Sequence, residues 1–226
     1  KLNEKILKGV GLEDFNENGK QDIVCATQSG NIYLIYDDGT IAPNYPFETN
    51  DKFKTAPSVL KLFNPDNEDF ERIIFSGSLD EHFYAVNEDG SFRFSLPTGG
   101  NITTSSCIVE LGFFGVGVFF GSDDNFLYGV DPSGNILPGW PQDLGGNVTV
   151  SPIVADLNSD GDPEIISGAG DKIFAFHSNG ILYDHFPVSL GVPLTSSPSA
   201  IDLDGDGDVE IIIGSGGRLV IVDVKE

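Results

Sequence analysis

The chain has 226 residues with 28 Gly, 13 Pro and 11% aromatics, and its 12 Lys and Arg against 35 Asp and Glu leave a formal net charge of −23. So acidic a chain excludes a nucleic-acid binder or a polybasic lipid contact, because both need clustered cations. Gly and Pro spread along the whole length suit a turn-rich all-β protein. The longest apolar run, 111–121, is too short and too Gly-rich to span a bilayer and reads as core, so no membrane insertion is expected. The chain opens on Lys and holds no Met, as expected of a processed or trimmed piece of a longer product. Cys25 and Cys107 sit in apolar runs and read as small buried residues.

Taken in order, the chain repeats. "VGLEDF" from Val10, "PSVLKL" from Pro57, "SCIVEL" from Ser106, "PIVADL" from Pro152 and "PSAIDL" from Pro198 are spaced by 47, 49, 46 and 46 residues. Each is followed by an apolar run such as "DIVCA" or "EIIIGS", and in the first four repeats an alternating segment then leads to a Gly turn, as in "NIYLIYDDG" and "KIFAFHSNG". A short segment ending in Pro closes each of these, at Pro46, Pro97, Pro141 and Pro187. Four short β segments per repeat, with a Gly-marked last hairpin, predict four-stranded blades of a β-propeller. The expected domain is a single propeller over 1–226, with repeats at about 10–56, 57–105, 106–151, 152–197 and 198–226. The last repeat stops after its third strand. Either residues 1–9 complete it and close a five-bladed ring, or the five blades belong to a larger propeller.

Between the first and second strands of repeats one, four and five lie "DFNENGKQD" from Asp14, "DLNSDGDPE" from Asp156 and "DLDGDGDVE" from Asp202. All three fit D-x-[DN]-x-[DN]-G-x-x-[DE]. Like charges this close repel unless something positive sits among them. Oxygens at positions 1, 3, 5 and 9, a backbone carbonyl at 7 and a turn-permitting Gly at 6 make a cage for a hard cation such as Ca²⁺. The expected ligands are Asp14, Asn16, Asn18, Lys20 and Asp22; Asp156, Asn158, Asp160, Asp162 and Glu164; and Asp202, Asp204, Asp206, Asp208 and Glu210, with Lys20, Asp162 and Asp208 contributing carbonyls. Position 12 is Cys25, Ser167 or Ile213, which departs from the EF-hand pattern. Carboxylate number ranks the third loop tightest and the first weakest. In repeats two and three, Lys61, Gly112 and Phe114 offer no side-chain ligand, so those hairpins are expected to be metal-free.

"VADLNSDGDPEIISGAG" and "AIDLDGDGDVEIIIGSGG" resemble FG-GAP (VCBS-type) repeats, as in the N-terminal propeller of integrin α-subunits and in many secreted bacterial proteins. The resemblance implies a propeller stabilised by up to three Ca²⁺ ions, working outside the cell, at its surface or in the periplasm. It also implies an adhesion or interaction role toward a protein or glycan ligand. Topology places the acidic loops and the turns between third and fourth strands on one face. The loops between second and third strands lie opposite, with Asp80, Glu81, Asp123, Asp124, Asn125, Asp171 and Arg218. An enzymatic alternative, the propeller of a polysaccharide-degrading enzyme, would draw on Asp80, Glu81 and His82 or on Asp123 and Asp124. Neighbouring loop carboxylates ordinarily belong to solvated turns. His82, His177 and His185 fall in different repeats without metal-ligand spacing. Trp140 shares its phase with Tyr45, Leu96 and Phe186, so it reads as packing rather than as a sugar platform.

Overall fold

The computed structural model describes residues 1–65, 68–112 and 115–224. Phe114, at a position considered above, and the last two residues of the fifth repeat lie outside the described residues. Every described element is a β-strand apart from one 3-10 position at Gly112, and no helix is long and apolar enough to cross a membrane.

The strands form four four-stranded antiparallel sheets and one of three, one sheet per sequence repeat. The first blade is β1 (Gly11–Glu13), β2 (Asp22–Ala26), β3 (Asn31–Ile35) and β4 (Phe47–Glu48). The second is β5 (Ser58–Asn64), β6 (Asp69–Gly77), β7 (His82–Asn87) and β8 (Phe92–Pro97). The third is β9 (Cys107–Glu110), β10 (Val116–Gly121), β11 (Phe126–Val130) and β12 (Gln142–Asp143). The fourth is β13 (Ile153–Ala155), β14 (Glu164–Ala169), β15 (Lys172–Phe176) and β16 (Val188–Ser189), and the fifth holds β17 (Ser199–Ile201), β18 (Glu210–Ser215) and β19 (Arg218–Asp223). This is the all-β, blade-by-blade architecture that the repeat predicts.

The chain divides into two compact units, Lys1–Ser106 and Cys107–Glu226. In the first unit, strand alternation sends Val24 and Ala26 of β2 and Ile32 and Leu34 of β3 to one side. There they meet Ile74, Tyr84 and Val86 of the second blade across the fully buried Phe53. In the second unit Ile166, Ile173 and Ala175 meet Ile211 and Ile213 in the same way. Most positions of β6, β7, β10, β14 and β15 are buried, which is why these strands read as near-continuous apolar runs, whereas β19 leaves Leu219 and Ile221 exposed.

Connections between blades are hydrogen-bonded into the sheets they join. The Phe53 amide donates to the Thr27 carbonyl at 3.0 Å, while the Lys52 carbonyl accepts from the Leu79 amide at 2.9 Å. Leu194 and Thr195 do the same for the fourth and fifth blades, donating to Gly170 and Gly214 at 2.8 Å each. Residues 4–6, raised above as a completion of the last blade, lie against the first. The Gln28 amide donates to the Lys5 carbonyl at 2.8 Å. Glu4 accepts from Thr27 Oγ1 at 2.6 Å, Tyr33 Oη at 2.7 Å and Asn31 Nδ2 at 2.9 Å.

Before two of the closing prolines, Pro46 and Pro141, an aromatic reaches from its own blade to the next. Tyr45 Oη donates to the Asn87 carbonyl and Trp140 Nε1 to the Ser178 carbonyl, both at 3.0 Å. Trp140 also packs edge-on to Phe119 and Phe176, with ring centroids 4.8 and 5.7 Å away. Only 7% of Trp140 is exposed, so no ring face is open to stack on a sugar. The preceding Gly139 has φ +83°, and a Cβ there would lie 1.9 Å from the Asn179 carbonyl oxygen, so the close approach of the two turns requires glycine. Cys25 and Cys107 are both free thiols. Burial, aided at Cys25 by the charge of Glu4, pushes them up to about 11 and about 12.

Two predictions follow the packing. Trp140→Phe keeps the ring but leaves the Ser178 carbonyl without its donor, and urea denaturation followed by circular dichroism should show a loss of about 1–3 kcal/mol. Burial pushes the Glu4 carboxyl up, but the donors on Thr27, Tyr33, Asn31 and Ser29 together outweigh it and hold it below the usual carboxylate value. Its contribution is present above the ordinary carboxylate pKa and lost as pH falls through the lowered one. An acid titration of the Gln28 amide NMR shift should show this release, and Glu4→Gln should abolish the transition.

Candidate functional site

Each acidic loop joins the first two strands of its blade, and in all three the polar side chains fold inward onto the loop's own backbone. At position 1, Asp14 accepts from the Asn18 and Gly19 amides at 3.1 and 2.8 Å. Asp156 accepts from Asp160 and Gly161 at 3.1 and 2.9 Å, and Asp202 from Gly205 and Gly207 at 2.7 and 3.2 Å. At position 3, Asn16, Asn158 and Asp204 each accept the amide two residues on, all at 3.2 Å. Asn18, Asp160 and Asp206 repeat this at position 5, at 2.9, 2.8 and 3.1 Å. These are Asx-type turns strung in series, and they wind oxygens around a common centre.

Position 6 is glycine in all three loops, with φ of +83°, +90° and +99° at Gly19, Gly161 and Gly207, as the sharp turn demands. Position 4 is also left-handed, at Glu17, Ser159 and Gly205. At Glu17 and Ser159, where a side chain carries a steric cost, nothing in the residue type signals this conformation.

Position 9 has a second role beyond that of a candidate ligand. Asp22, Glu164 and Glu210 open the second strand of their blades and are 0%, 1% and 5% exposed. One oxygen of each accepts the backbone amide of position 2: Phe15 and Leu157 at 2.9 Å and Leu203 at 2.6 Å. The buried acid thus clasps the entrance of its own loop. A buried carboxylate is costly unless hydrogen-bonded, so this bond fixes the loop closure. The signal in the sequence is an acid set directly before an apolar run, although position alone does not decide burial, since Asp69 at the head of β6 is exposed.

The loops differ at their centres. In the last, Asp202, Asp204 and Glu210 each offer a carboxylate oxygen within 4.8 Å of the others. Three anionic oxygens converging from an exposed loop fit a hard cation, and no Lys or Arg among the described residues pairs with them. In the fourth blade His177, from the turn after β15, brings Nδ1 to 3.1 Å from Glu164 Oε1. Burial pushes the Glu164 carboxyl up, an effect opposed by the Leu157 amide and the neighbouring His177. Asp160 is held below its usual value by the Asp162 amide and Asn158. In the first blade, Asp22 Oδ1 accepts the Asp37 amide at 2.8 Å. The Asn18 carboxamide nitrogen and the Lys20 ammonium both donate to Asp37, at 2.8 and 2.6 Å. Asp37 and His177 confirm that turns between third and fourth strands share a face with the acidic loops, yet neither was recognised from sequence as part of the site.

The candidate acid–base clusters on the opposite rim are occupied in bracing turns. Asp80 accepts Tyr84 Oη at 2.7 Å and the His82 amide at 3.2 Å, and His82 Nδ1 faces the Asp80 carbonyl at 2.8 Å. Asp124 repeats the arrangement with Tyr128 Oη at 2.7 Å and the Phe126 amide at 3.1 Å. Both tyrosines are pushed well above the usual phenol value by burial and by these bonds.

Two of these loops fall inside one segment that matches a known family. Residues 156–213 match the model of the FG-GAP-like repeat family. No curated protein sequence matches the chain. Among solved structures it is similar to the V. cholerae biofilm matrix protein Bap1, with 16% identity and a TM-score of 0.65 over 93% of this chain and 35% of that one. It also resembles BBS1N, solved in complex with ARL6DN, with 13% identity and a TM-score of 0.63 over 99% of this chain and 67% of that one. A third likeness is to BamB from Moraxella catarrhalis, at 13% identity and 0.62, covering 98% and 78%. The chain thus spans about a third of the length of Bap1. At these identities the likeness is one of fold, and the FG-GAP-like repeat sits in a β-propeller architecture.

The clasp predicts that Glu164→Ala, which strips the buried Leu157 amide of its acceptor, lowers stability by about 1–3 kcal/mol even in chelator. Asn158→Ala, which removes only solvent-exposed bonds to Asp160 in the same loop, should cost less there, about 0.5–1 kcal/mol. Urea denaturation in EDTA measures both.

Proposed function

We propose that this chain is a calcium-braced, non-catalytic interaction module that works outside the cytoplasm. One observation carries the reading: the convergence of Asp202, Asp204 and Glu210 oxygens within 4.8 Å of one another, in a loop inside the FG-GAP-like repeat. Hard carboxylate oxygens in a flexible loop suit Ca²⁺ better than softer metals, which favour nitrogen and sulfur. Asp202, Asp204, Asp206 and Glu210 would hold the ion with the Asp208 carbonyl. Asp156, Asn158, Asp160, Asp162 and Glu164 would form a second, weaker site. The ion would supply charge neutralisation and bracing, not chemistry.

An interaction role is supported by what the rest of the chain spends its side chains on. The repeated acids outside the loops, Asp80 and Asp124, hold turns through Tyr84 and Tyr128. Similar propellers occur in a biofilm matrix protein and in BBS1N, which is bound to a protein partner in its structure. The ligand here is a protein or glycan met on the rim opposite the acidic loops. Millimolar Ca²⁺ outside the cytoplasm would fill sites of modest affinity.

Thermal unfolding in about 2 mM Ca²⁺ and in EDTA tests the reading. At a hundred times its Kd a bound ion adds about 2.7 kcal/mol per site, which moves the Tm upward by several degrees. Asp204→Ala should remove much of that shift. A Tm that ignores Ca²⁺ would refute the proposal.

A further inference from the structure

The first loop fits a divalent ion poorly, although its sequence meets the same pattern. We propose that it takes no divalent ion, and that Arg72 of the neighbouring blade, with Lys20, serves as its permanent counter-charge. Dependence on Ca²⁺ is then confined to the loops of residues 107–226. The inference rests on the calcium reading for those loops, but stands on different residues.

Ligand positions of the first loop carry only two charges, Asp14 and Asp22. All four of their oxygens already accept backbone amides, from Asn18, Gly19, Phe15 and Asp37. At position 5 the Asn18 carboxamide nitrogen donates to Asp37 while its oxygen accepts the Lys20 amide, and at position 7 the Lys20 ammonium forms an ion pair with Asp37 at 2.6 Å. The remaining acids around the loop are met from the second blade. Arg72 is 3% exposed, places Nη2 2.8 Å from Glu17 and Nε 3.6 Å from Glu13, and reaches Glu88 at 3.4 Å. Lys61 lies 3.9 Å from Glu13. Burial disfavours the Arg72 charge, but Glu17 and Glu88 more than offset this and hold the guanidinium protonated. A divalent cation brought into this loop would find only two ligand carboxylates, with both Asp22 oxygens accepting amides and the cations Lys20 and Arg72 close by.

The second blade can supply Arg72 because it has no acidic loop. Its β5 and β6 instead pair continuously from Ser58 with Phe75 to Asn64 with Asp69, and that longer ladder sets Arg72 opposite Lys61. The contrast extends to composition. Residues 1–106 hold nine of the twelve Lys and Arg against seventeen acids, whereas 107–226 hold three against eighteen. Fixed cations stand where an ion is not needed and are scarce where one is.

Hydrogen exchange on the full chain, with peptides covering 10–27, 152–170 and 198–215, tests this in EDTA and in Ca²⁺. With Ca²⁺ at ten times its Kd, exchange through local opening should slow about tenfold in the two later hairpins and stay unchanged in the first. Arg72→Gln should speed exchange in the first hairpin equally with and without Ca²⁺, and Arg72→Lys should do so less. Should Arg72→Gln fail to fold, Glu17→Gln removes the same contact from its exposed side. Protection of the first hairpin by Ca²⁺ would overturn the inference and leave the calcium reading intact. Unchanged exchange on removing either partner of the Arg72 and Glu17 pair would also overturn it. If no hairpin responds to Ca²⁺, the calcium reading itself fails, while the Arg72 variants still report whether that residue holds the first loop.

Discussion

A buried carboxylate at the start of the second strand organises each blade that carries an acidic loop. Asp22, Glu164 and Glu210 have left water and are held by the amide of the residue that enters the loop. Because an unpaired charge in that place would cost several kcal/mol, the loop cannot open without losing its closing bond. The register of the first hairpin follows, with Glu13 opposite Asp22, Ala155 opposite Glu164 and Ile201 opposite Glu210. With that register set, the next residues alternate into the core between blades. The same closure gathers the remaining loop oxygens toward one point.

The two blades without the acidic motif solve the closure differently. In the second, the place of the clasping acid is taken by fully buried Ile73, and the hairpin is lengthened until Phe63 faces Phe70 across the strands. Cross-strand aromatic packing there replaces the hydrogen bonds of a folded loop. In the third blade Gly117 holds the equivalent place, and a Cβ added to it would lie 2.7 Å from the Leu111 side chain. No acid fits, and the Leu111 amide bonds the Gly115 carbonyl at 2.6 Å to make a tight turn. One blade geometry thus tolerates three kinds of hairpin, as expected where sequence variation is confined to surface loops.

Within each of the two units, neighbouring blades are joined by repeated devices: an apolar interface, a connection bonded to both sheets, and an aromatic ring reaching to the next turn. Each contact is between adjacent repeats, so each repeat is stabilised mainly by its neighbours. In each unit a turn between second and third strands is braced in the same way, by Asp80 through Tyr84 and by Asp124 through Tyr128.

Sequence alone determined the fold class, because four short apolar segments recurring at a fixed spacing can bury themselves only by stacking like on like. It also located the three acidic loops and their glycines, since Asx turns and a left-handed glycine are local properties that follow from spacing. Trp140 was legible as packing because its phase matched Tyr45 and Phe186. What the sequence could not show was which charges meet. Arg72 lies 55 residues from Glu17, and His177 reaches Glu164 from a turn two strands away. Such pairs exist only once the strands are paired and the blades stacked, because Coulombic contact depends on distance in space and not along the chain. Three loops that look alike in sequence therefore become physically different in the fold, one surrounded by fixed cations and one converging three anionic oxygens on a single point.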